Sequence, residues 1–219
     1  MIRLNKFARF SRAELNADWR SIDYSSIDVE TTGLALKEDE IISIGVAHIH
    51  LGRVKTEDNF YREIRPKRSP SPESIRVHSL RGIDLEATAP IESVIPDLVA
   101  LLNGKVLIAH AAWVENAFLQ RHLRGTGLSF SKQMIDTAAL ARASGYAADV
   151  DGSEPSLEFL ARRINLPVYA PHNALGDALT TAVVFLALAT ELEREQVAKG
   201  RSGLTLRTLL EISAKNSKS

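Results

Sequence analysis

Cysteine is absent from this 219-residue sequence, which excludes disulfide bonds, thiolate metal sites and cysteine nucleophiles. A bound metal would therefore have oxygen or imidazole ligands. Net charge is also absent, because 27 basic residues balance 27 acidic residues. No overall field draws nucleic acid to such a chain, so a polyanion would have to meet local basic patches.

The sequence also has no long apolar run. Its first twenty residues include seven charged side chains, so we expect no secretory signal. The most apolar segment, residues 178–190, falls short of the roughly 20 residues that a membrane span needs, and we interpret it as a buried helix. These observations predict a cytoplasmic protein with no membrane association.

Ordinary composition and length favour one soluble domain with short extensions. Hydrophobic patterns predict strands at residues 25–29, 41–50, 59–65, 106–109 and 134–136. They predict helices at residues 91–102, 113–124, 137–143, 157–164 and 174–192. This order indicates an α/β fold with a mixed central sheet flanked by helices. We expect an extension over residues 1–23, a domain over 24–200 and a tail over 201–219.

Two carboxylates lie together on the first predicted strand. Residues two apart in a strand point to the same face, so Asp28 and Glu30 project together. On a solvated edge strand this would be an ordinary polar face. In an interior strand, paired anions need protons or a cation, and a divalent metal is the simplest solution.

Other candidate ligands come later in the chain. His172 precedes Asp177 by five residues, and the pair offers a metal ligand together with a base that titrates near neutral pH. Each residue alone would more often be structural. Glu115 begins a helix, where it either compensates the helix dipole or adds a fourth carboxylate to a site at the carboxyl end of a strand. Asp136 is interpreted as a helix cap.

These motifs resemble those of the DEDDh 3′-5′ exonucleases, which include the proofreading epsilon subunit of bacterial DNA polymerase III and oligoribonuclease. Residues 27–34 read IDVETTGL, close to the family's opening D-x-E-T-T-G, and residues 172–177 read HNALGD, which fits its H-x4-D motif. The resemblance covers roughly residues 24–192 and implies a ribonuclease-H-like fold. The second motif departs from the family pattern H-N-A-x-F-D, because Ala111 replaces asparagine and Glu115 replaces aspartate.

The resemblance also implies roles for individual residues. Asp28, Glu30, Glu115 and Asp177 would bind two Mg²⁺ or Mn²⁺ ions, and His172 would be the general base that activates water. Residues that would hold the terminal nucleotide are Thr31, Thr32, Gly33, Leu34, Glu73 and His78. Because glutamate keeps the charge and hard cations accept either carboxylate, we expect activity to survive the change at Glu115.

The expected partner is a nucleic acid with a free 3′ end, single-stranded rather than duplex, and a DNA polymerase or another protein is a further candidate partner. Basic residues near the site that could contact the strand backbone are Arg62, Arg65, Lys67, Arg68, Arg76 and Arg81. The sequence leaves DNA and RNA open as substrates. Two other functions remain: an inactive nucleic-acid-binding module of the same fold, and an unrelated metal-dependent phosphohydrolase of small molecules.

Overall fold

The computed structural model describes residues 10–123, 134–147 and 154–216. Its centre is a six-stranded sheet of β1 Tyr24–Thr31, β2 Ile41–His50, β3 Arg53–Val54, β4 Phe60–Glu63, β5 Val106–Ala109 and β6 Ile135–Asp136. The strand order is β3-β2-β1-β5-β6, with β4 paired to β2. Because β1 is antiparallel to β2 and parallel to β5, the sheet is mixed, and the predicted α/β class is confirmed.

Helices cover both faces of this sheet. Within the described residues they are α1 Arg12–Asn16, α2 Pro72–His78, α3 Gly82–Leu85, α4 Ile91–Leu102, α5 Trp113–Leu123, α6 Thr137–Ala143, α7 Leu157–Arg163, α8 Ala174–Ala198 and α9 Leu206–Asn216. On one face, Tyr24 and Ile49 pack with Phe185 of α8. On the other face, Ile27 and Val29 belong to the same apolar cluster as α4 and α5. The strand alternation that buries Ile27 therefore turns Asp28 toward the α8 side.

Helix α8 is longer than the sequence pattern predicts. It runs for 25 residues, and by length and composition alone it could cross a membrane, so the expectation that this segment is too short is wrong. Its interpretation as a buried helix rests instead on packing, because Ala178, Val184, Phe185 and Leu188 are fully buried against the sheet and its neighbours.

The segments before β1 and after α8 both pack on the domain. Trp19 is 1% exposed and meets Phe185 edge to face, with 5.9 Å between the ring centroids. Helix α9 packs against α6, and its Ser213 hydroxyl accepts a hydrogen bond of 2.9 Å from the backbone N–H of Asp136 in the edge strand β6. The last strand is thus covered by the C-terminal helix.

Candidate metal centre and nucleotide pocket

Three carboxylates converge where β1 passes beneath the start of α8. Asp28 and Glu30 project from β1, and Asp177 lies in the first turn of α8. One oxygen from each lies within 4.8 Å of the other two. The structure therefore brings together two motifs that stand about 150 residues apart in the sequence.

A glycine on the neighbouring strand allows this approach. Gly45 of β2 pairs with Asp28, and a Cβ atom at Gly45 would lie 2.1 Å from the backbone carbonyl carbon of Ala174. Real Cβ atoms essentially never come so close to backbone, so any side chain there would push α8 away. The first turn of α8, which carries Asp177, can rest on the sheet because position 45 has no side chain.

Glu115 adds a fourth carboxylate. It lies in the first turn of α5, yet only 4% of its surface is exposed, so it does not act as a solvated partner of the helix dipole. Its Oε2 atom is buried and makes no hydrogen bond within the described residues. Burial and the charges of Asp136 and Glu30 raise its pKa well above the ordinary value. A buried oxygen with no donor is a position that a cation could fill.

Burial is the main cause of the raised pKa values throughout the acidic cluster. Burial, together with repulsion from Glu115, Glu30 and Asp177, raises the pKa of Asp28 well above its usual range. Burial and Asp177 raise the pKa of Glu30 to about 7, and burial raises that of Asp177 to about 6. Carboxylates crowded in this way require protons or positive charge, and oxygen ligands suit hard divalent cations.

Asp136 has a different role from these four. Its Oδ1 accepts hydrogen bonds from the backbone N–H groups of Ala138, at 2.9 Å, and Ala111, at 3.1 Å. The first bond caps α6, so the predicted capping role is confirmed. The second ties the turn before α5 to the same carboxylate. Ala111 has φ of 52°, a left-handed conformation that asparagine tolerates better than alanine.

His172 lies at the rim of the acidic cluster. Its backbone has φ of 59°, and its N–H donates a 2.9 Å hydrogen bond to Oδ2 of Asp177. The imidazole is about half exposed, with Nε2 3.6 Å from Oε1 of Glu158. Glu158 belongs to α7, which is capped by the Ser156 hydroxyl. Nothing local in the sequence distinguishes Glu158 from an ordinary acidic residue in a first helical turn.

A cavity of about 530 Å³ opens beside the cluster. Its walls include all six residues predicted to hold a nucleotide, namely Thr31, Thr32, Gly33, Leu34, Glu73 and His78, and also Glu30 of the acidic cluster. Leu34 is 70% exposed, and Glu73 lies 3.6 Å from Arg76 on the solvent side. The pocket and the acidic cluster therefore share a wall.

Asp39 holds the loop that forms one side of this cavity. Its carboxylate accepts hydrogen bonds of 2.8 Å from the Thr32 hydroxyl and from the N–H of Ala35. A Cβ atom at Gly33 would lie 2.5 Å from Oδ2 of Asp39, so this packing needs glycine. Arg121 donates to the carbonyl oxygens of Asp39 and Leu36. Sequence analysis missed Asp39, although an acidic residue following T-T-G could have suggested a loop anchor.

His78 supplies a buried imidazole on the opposite side. Only 8% of the residue is exposed, and Nδ1 accepts a 3.0 Å hydrogen bond from the N–H of Leu80. Burial lowers the pKa of His78, which favours the neutral ring at physiological pH. A neutral imidazole with Nδ1 occupied carries its proton on Nε2, which is buried and makes no hydrogen bond within the described residues.

The basic residues expected to meet the strand backbone have varied surroundings. Arg68 pairs with Glu38 at 3.0 Å, and Arg81 pairs with Asp84 at 2.7 Å. Arg65 and Lys67 line a separate cavity of about 320 Å³.

Residues 25–185 of this chain match the RNase T protein family, which is described as exonuclease. A DNA polymerase III PolC-type protein of Thermotoga maritima is 31% identical over 174 residues, covering 79% of this chain and 12% of that protein. A DNA polymerase III subunit epsilon-like protein of Rhodobacter capsulatus is 35% identical over 170 residues, covering 76% of this chain and 23% of that protein. The chain therefore spans less than a quarter of either relative.

Solved structures show the same fold. Exonuclease X in complex with 5′ overhanging duplex DNA matches with a TM-score of 0.63 and 23% identity, over 87% of this chain and 99% of that one. The nuclease domain of 3′hExo, a DEDDh family member bound to rAMP, matches with a TM-score of 0.61 and 18% identity, over 86% and 98%. These similarities confirm the ribonuclease-H-like fold expected from the sequence.

Proposed function

Because this chain belongs to the RNase T exonuclease family, we propose that it removes nucleotides one at a time from the 3′ end of a nucleic acid by metal-dependent hydrolysis. The observation that carries the proposal is the convergence of Asp28, Glu30 and Asp177 within 4.8 Å, beside a cavity lined by the T-T-G loop. Hydrolysis at a chain end needs these two features in contact.

The residues present fit divalent cations. Asp28, Glu30 and Asp177 would hold one Mg²⁺ or Mn²⁺ ion, and Asp28 with Glu115 a second. Bound there, the ions would supply positive charge to the attacking and leaving oxygens of an in-line displacement at phosphorus. The buried Oε2 of Glu115, which has no hydrogen-bond partner within the described residues, supports its assignment as a ligand.

Side chains of the chain itself would position the reactants. His172 would take a proton from the attacking water, because its half-exposed imidazole lies at the edge of the cluster and its backbone is fixed to Asp177. Glu158, 3.6 Å from Nε2, would hold the imidazole in place. The products are a nucleoside monophosphate and a strand shortened by one nucleotide.

The cavity suggests how the 3′ end would be selected. A volume of about 530 Å³ is large enough for one nucleotide, and Leu34 and Val77 offer apolar surface against which a base could pack. His78 would contact the terminal nucleotide as a neutral part of the pocket wall. Because a base packed against Leu34 and Val77 would be separated from a complementary strand, we propose a single-stranded 3′ terminus as substrate. The polymerase relatives make DNA the first candidate and a polymerase a candidate partner.

The test uses single-stranded DNA and RNA oligonucleotides labelled at the 5′ end, incubated with Mg²⁺, Mn²⁺ or EDTA. We expect a metal-dependent ladder that shortens from the 3′ end, absent in Asp28→Asn and His172→Ala. Asp97→Asn, an exposed carboxylate on α4, is the matched control and should retain activity. Strand binding without shortening in either metal would refute the proposal and favour a non-catalytic binding module.

A further inference from the structure

A second polar cavity lies at the opposite end of the sheet. It has a volume of about 470 Å³ and is formed where β1 starts, β2 ends and β5 begins. Tyr24 marks its position on β1, four residues before Asp28 and six before Glu30. At the rise of a β-strand this places the cavity roughly 13–20 Å from the acidic cluster. It is therefore separate from the nucleotide pocket.

Most charged groups that line this cavity already have partners. Asp58 forms an ion pair with Lys55 at 2.9 Å, and Oδ1 of Asp23 lies 2.6 Å from Nδ1 of His50. Lys105 is the exception: among the residues that the structure describes, none offers it a carboxylate oxygen within 4.0 Å. Lys105 therefore makes no ion pair within the described residues, although Asp23 and Asp58, each already paired, line the same cavity at a greater distance.

The side chain nearest to the Lys105 ammonium group is an imidazole. Its Nζ lies 3.2 Å from Nδ1 and 3.4 Å from Nε2 of His48, and the Ser25 hydroxyl lies 2.9 Å from Nδ1 of the same ring. His48 is 4% exposed, and burial together with Lys105 lowers its pKa to about 4, so the ring is uncharged near pH 7. Burial also lowers the pKa of Lys105. A partly buried ammonium group beside an uncharged ring lacks the pairing that buried charges normally have.

We propose that this cavity binds a phosphate group, with Lys105 as the principal cation and Lys55 and His50 at the rim. Phosphate suits the arrangement because its several oxygens can accept hydrogen bonds from donors on different sides, and lysine is a common phosphate ligand. Leu101, which is only partly buried, adds apolar surface to the same cavity against which a nucleoside attached to the phosphate could pack. A ligand here would be a released mononucleotide or a strand phosphate remote from the reacting bond.

The experiment titrates the full chain in EDTA, which keeps metal-dependent binding at the acidic cluster out of the measurement. The probes are inorganic phosphate, deoxythymidine monophosphate and a ten-nucleotide DNA strand, followed by NMR shifts of the His48 ring and of backbone amides. We expect phosphate to shift His48 and Lys105 resonances at concentrations that leave Thr32 and His78 unchanged. Lys105→Gln should weaken binding at least tenfold, whereas Lys215→Gln, the same charge change on exposed α9, should not. If deoxythymidine monophosphate binds more tightly than the DNA strand, the phosphate belongs to a released mononucleotide. If the strand binds more tightly, it belongs to a strand phosphate remote from the reacting bond.

Two results would overturn the proposal. One is the absence of any shift at His48 with all three probes. The other is equal weakening by Lys105→Gln and Lys215→Gln, which would mean diffuse attraction to surface charge. Lys55→Gln, at the exposed rim, gives a second variant if Lys105→Gln does not fold. Since exonuclease activity is not measured here, failure of the proposed reaction would leave the outcome unaffected.

Discussion

Raising the pH from 6.5 to 8.5 in the absence of divalent metal should destabilise this protein, because the acidic cluster holds protons more tightly when folded. An acid whose pKa is raised by folding stabilises the native state below its unfolded pKa, and that contribution disappears as the pH rises through the folded pKa. For Glu30 the window runs from its ordinary pKa of 4.5 to a folded pKa of about 7. The native state therefore binds more protons than the unfolded chain, and stability falls with increasing pH.

The magnitude follows from the size of the shift. Moving the pKa of Glu30 from 4.5 to about 7 corresponds to roughly 3 kcal/mol, of which about 1 kcal/mol is lost between pH 6.5 and 8.5. Asp28 and Glu115, whose pKa values also rise, act in the same direction. Burial lowers the pKa of His48, His78, His110 and His122, and these rings act in the opposite direction up to about pH 7.5, because unfolded histidines are still half charged near pH 6.5. The Glu30→Gln variant keeps all four histidines, so the difference between the two proteins isolates the carboxylate.

The assay is urea unfolding in EDTA at pH 6.5, 7.5 and 8.5, with Glu30→Gln measured in parallel. The variant should show a weaker dependence on pH, since one of the interacting carboxylates is gone. Adding Mn²⁺ at pH 8.5 should restore stability, by about 2.7 kcal/mol at one hundred times its dissociation constant. A flat or rising profile for the unaltered chain would refute the reasoning, as would equal slopes for both proteins.

Three substitutions test other parts of the structure. Gly45→Ala should destabilise the fold by about 3 kcal/mol, because the new Cβ would collide with Ala174; urea unfolding would measure it, and a loss below 0.5 kcal/mol would contradict the close contact. Glu158→Gln should lower kcat about tenfold with little change in KM, because the imidazole of His172 would lose its positioning partner; an unchanged kcat would contradict that role. Glu115→Gln should stabilise the metal-free protein at pH 8 by on the order of 1 kcal/mol while lowering metal affinity in calorimetry; unchanged affinity would exclude Glu115 as a ligand.

Much of the sheet could be predicted from local patterns. The alternation around Asp28 correctly indicates β1, and the buried run at residues 106–109 coincides with β5. Strand β3 could not be found in this way. It is two residues long and follows a turn in which Leu51 and Gly52 have φ of 49° and 69°. Leucine is rare in that conformation, so the usual Asn-Gly signal of a tight hairpin is missing.

Helix α2 was missed for a related reason. The segment from residue 66 to 72 contains three prolines, which favours an irregular loop. The helix nevertheless begins at Pro72, a position that tolerates proline, and the Ser71 hydroxyl caps it by accepting from the N–H of Ser74. At seven residues it is too short to show a clear apolar period.

Parts of the site depend on contacts that no local pattern contains. A glutamate in the first turn of a helix can either compensate the helix dipole or serve as a ligand, so the sequence leaves both roles open for Glu115. Only the packing of α5 against the sheet shows that its carboxylate is buried. Glu158 meets His172 through the arrangement of α7 and the loop before α8. The pairing of His48 with Lys105 joins residues 57 apart.

The packing of helix α8 against Gly45 has a consequence for synthesis on the ribosome. Asp177 is translated 149 residues after Asp28, a delay of roughly 7–30 s at about 5–20 residues per second. During that interval the apolar face around Tyr24 and Ile49 has no helix to cover it. A nascent chain paused before residue 174 should therefore recruit chaperones, and it would possess neither a closed core nor a complete set of acidic ligands.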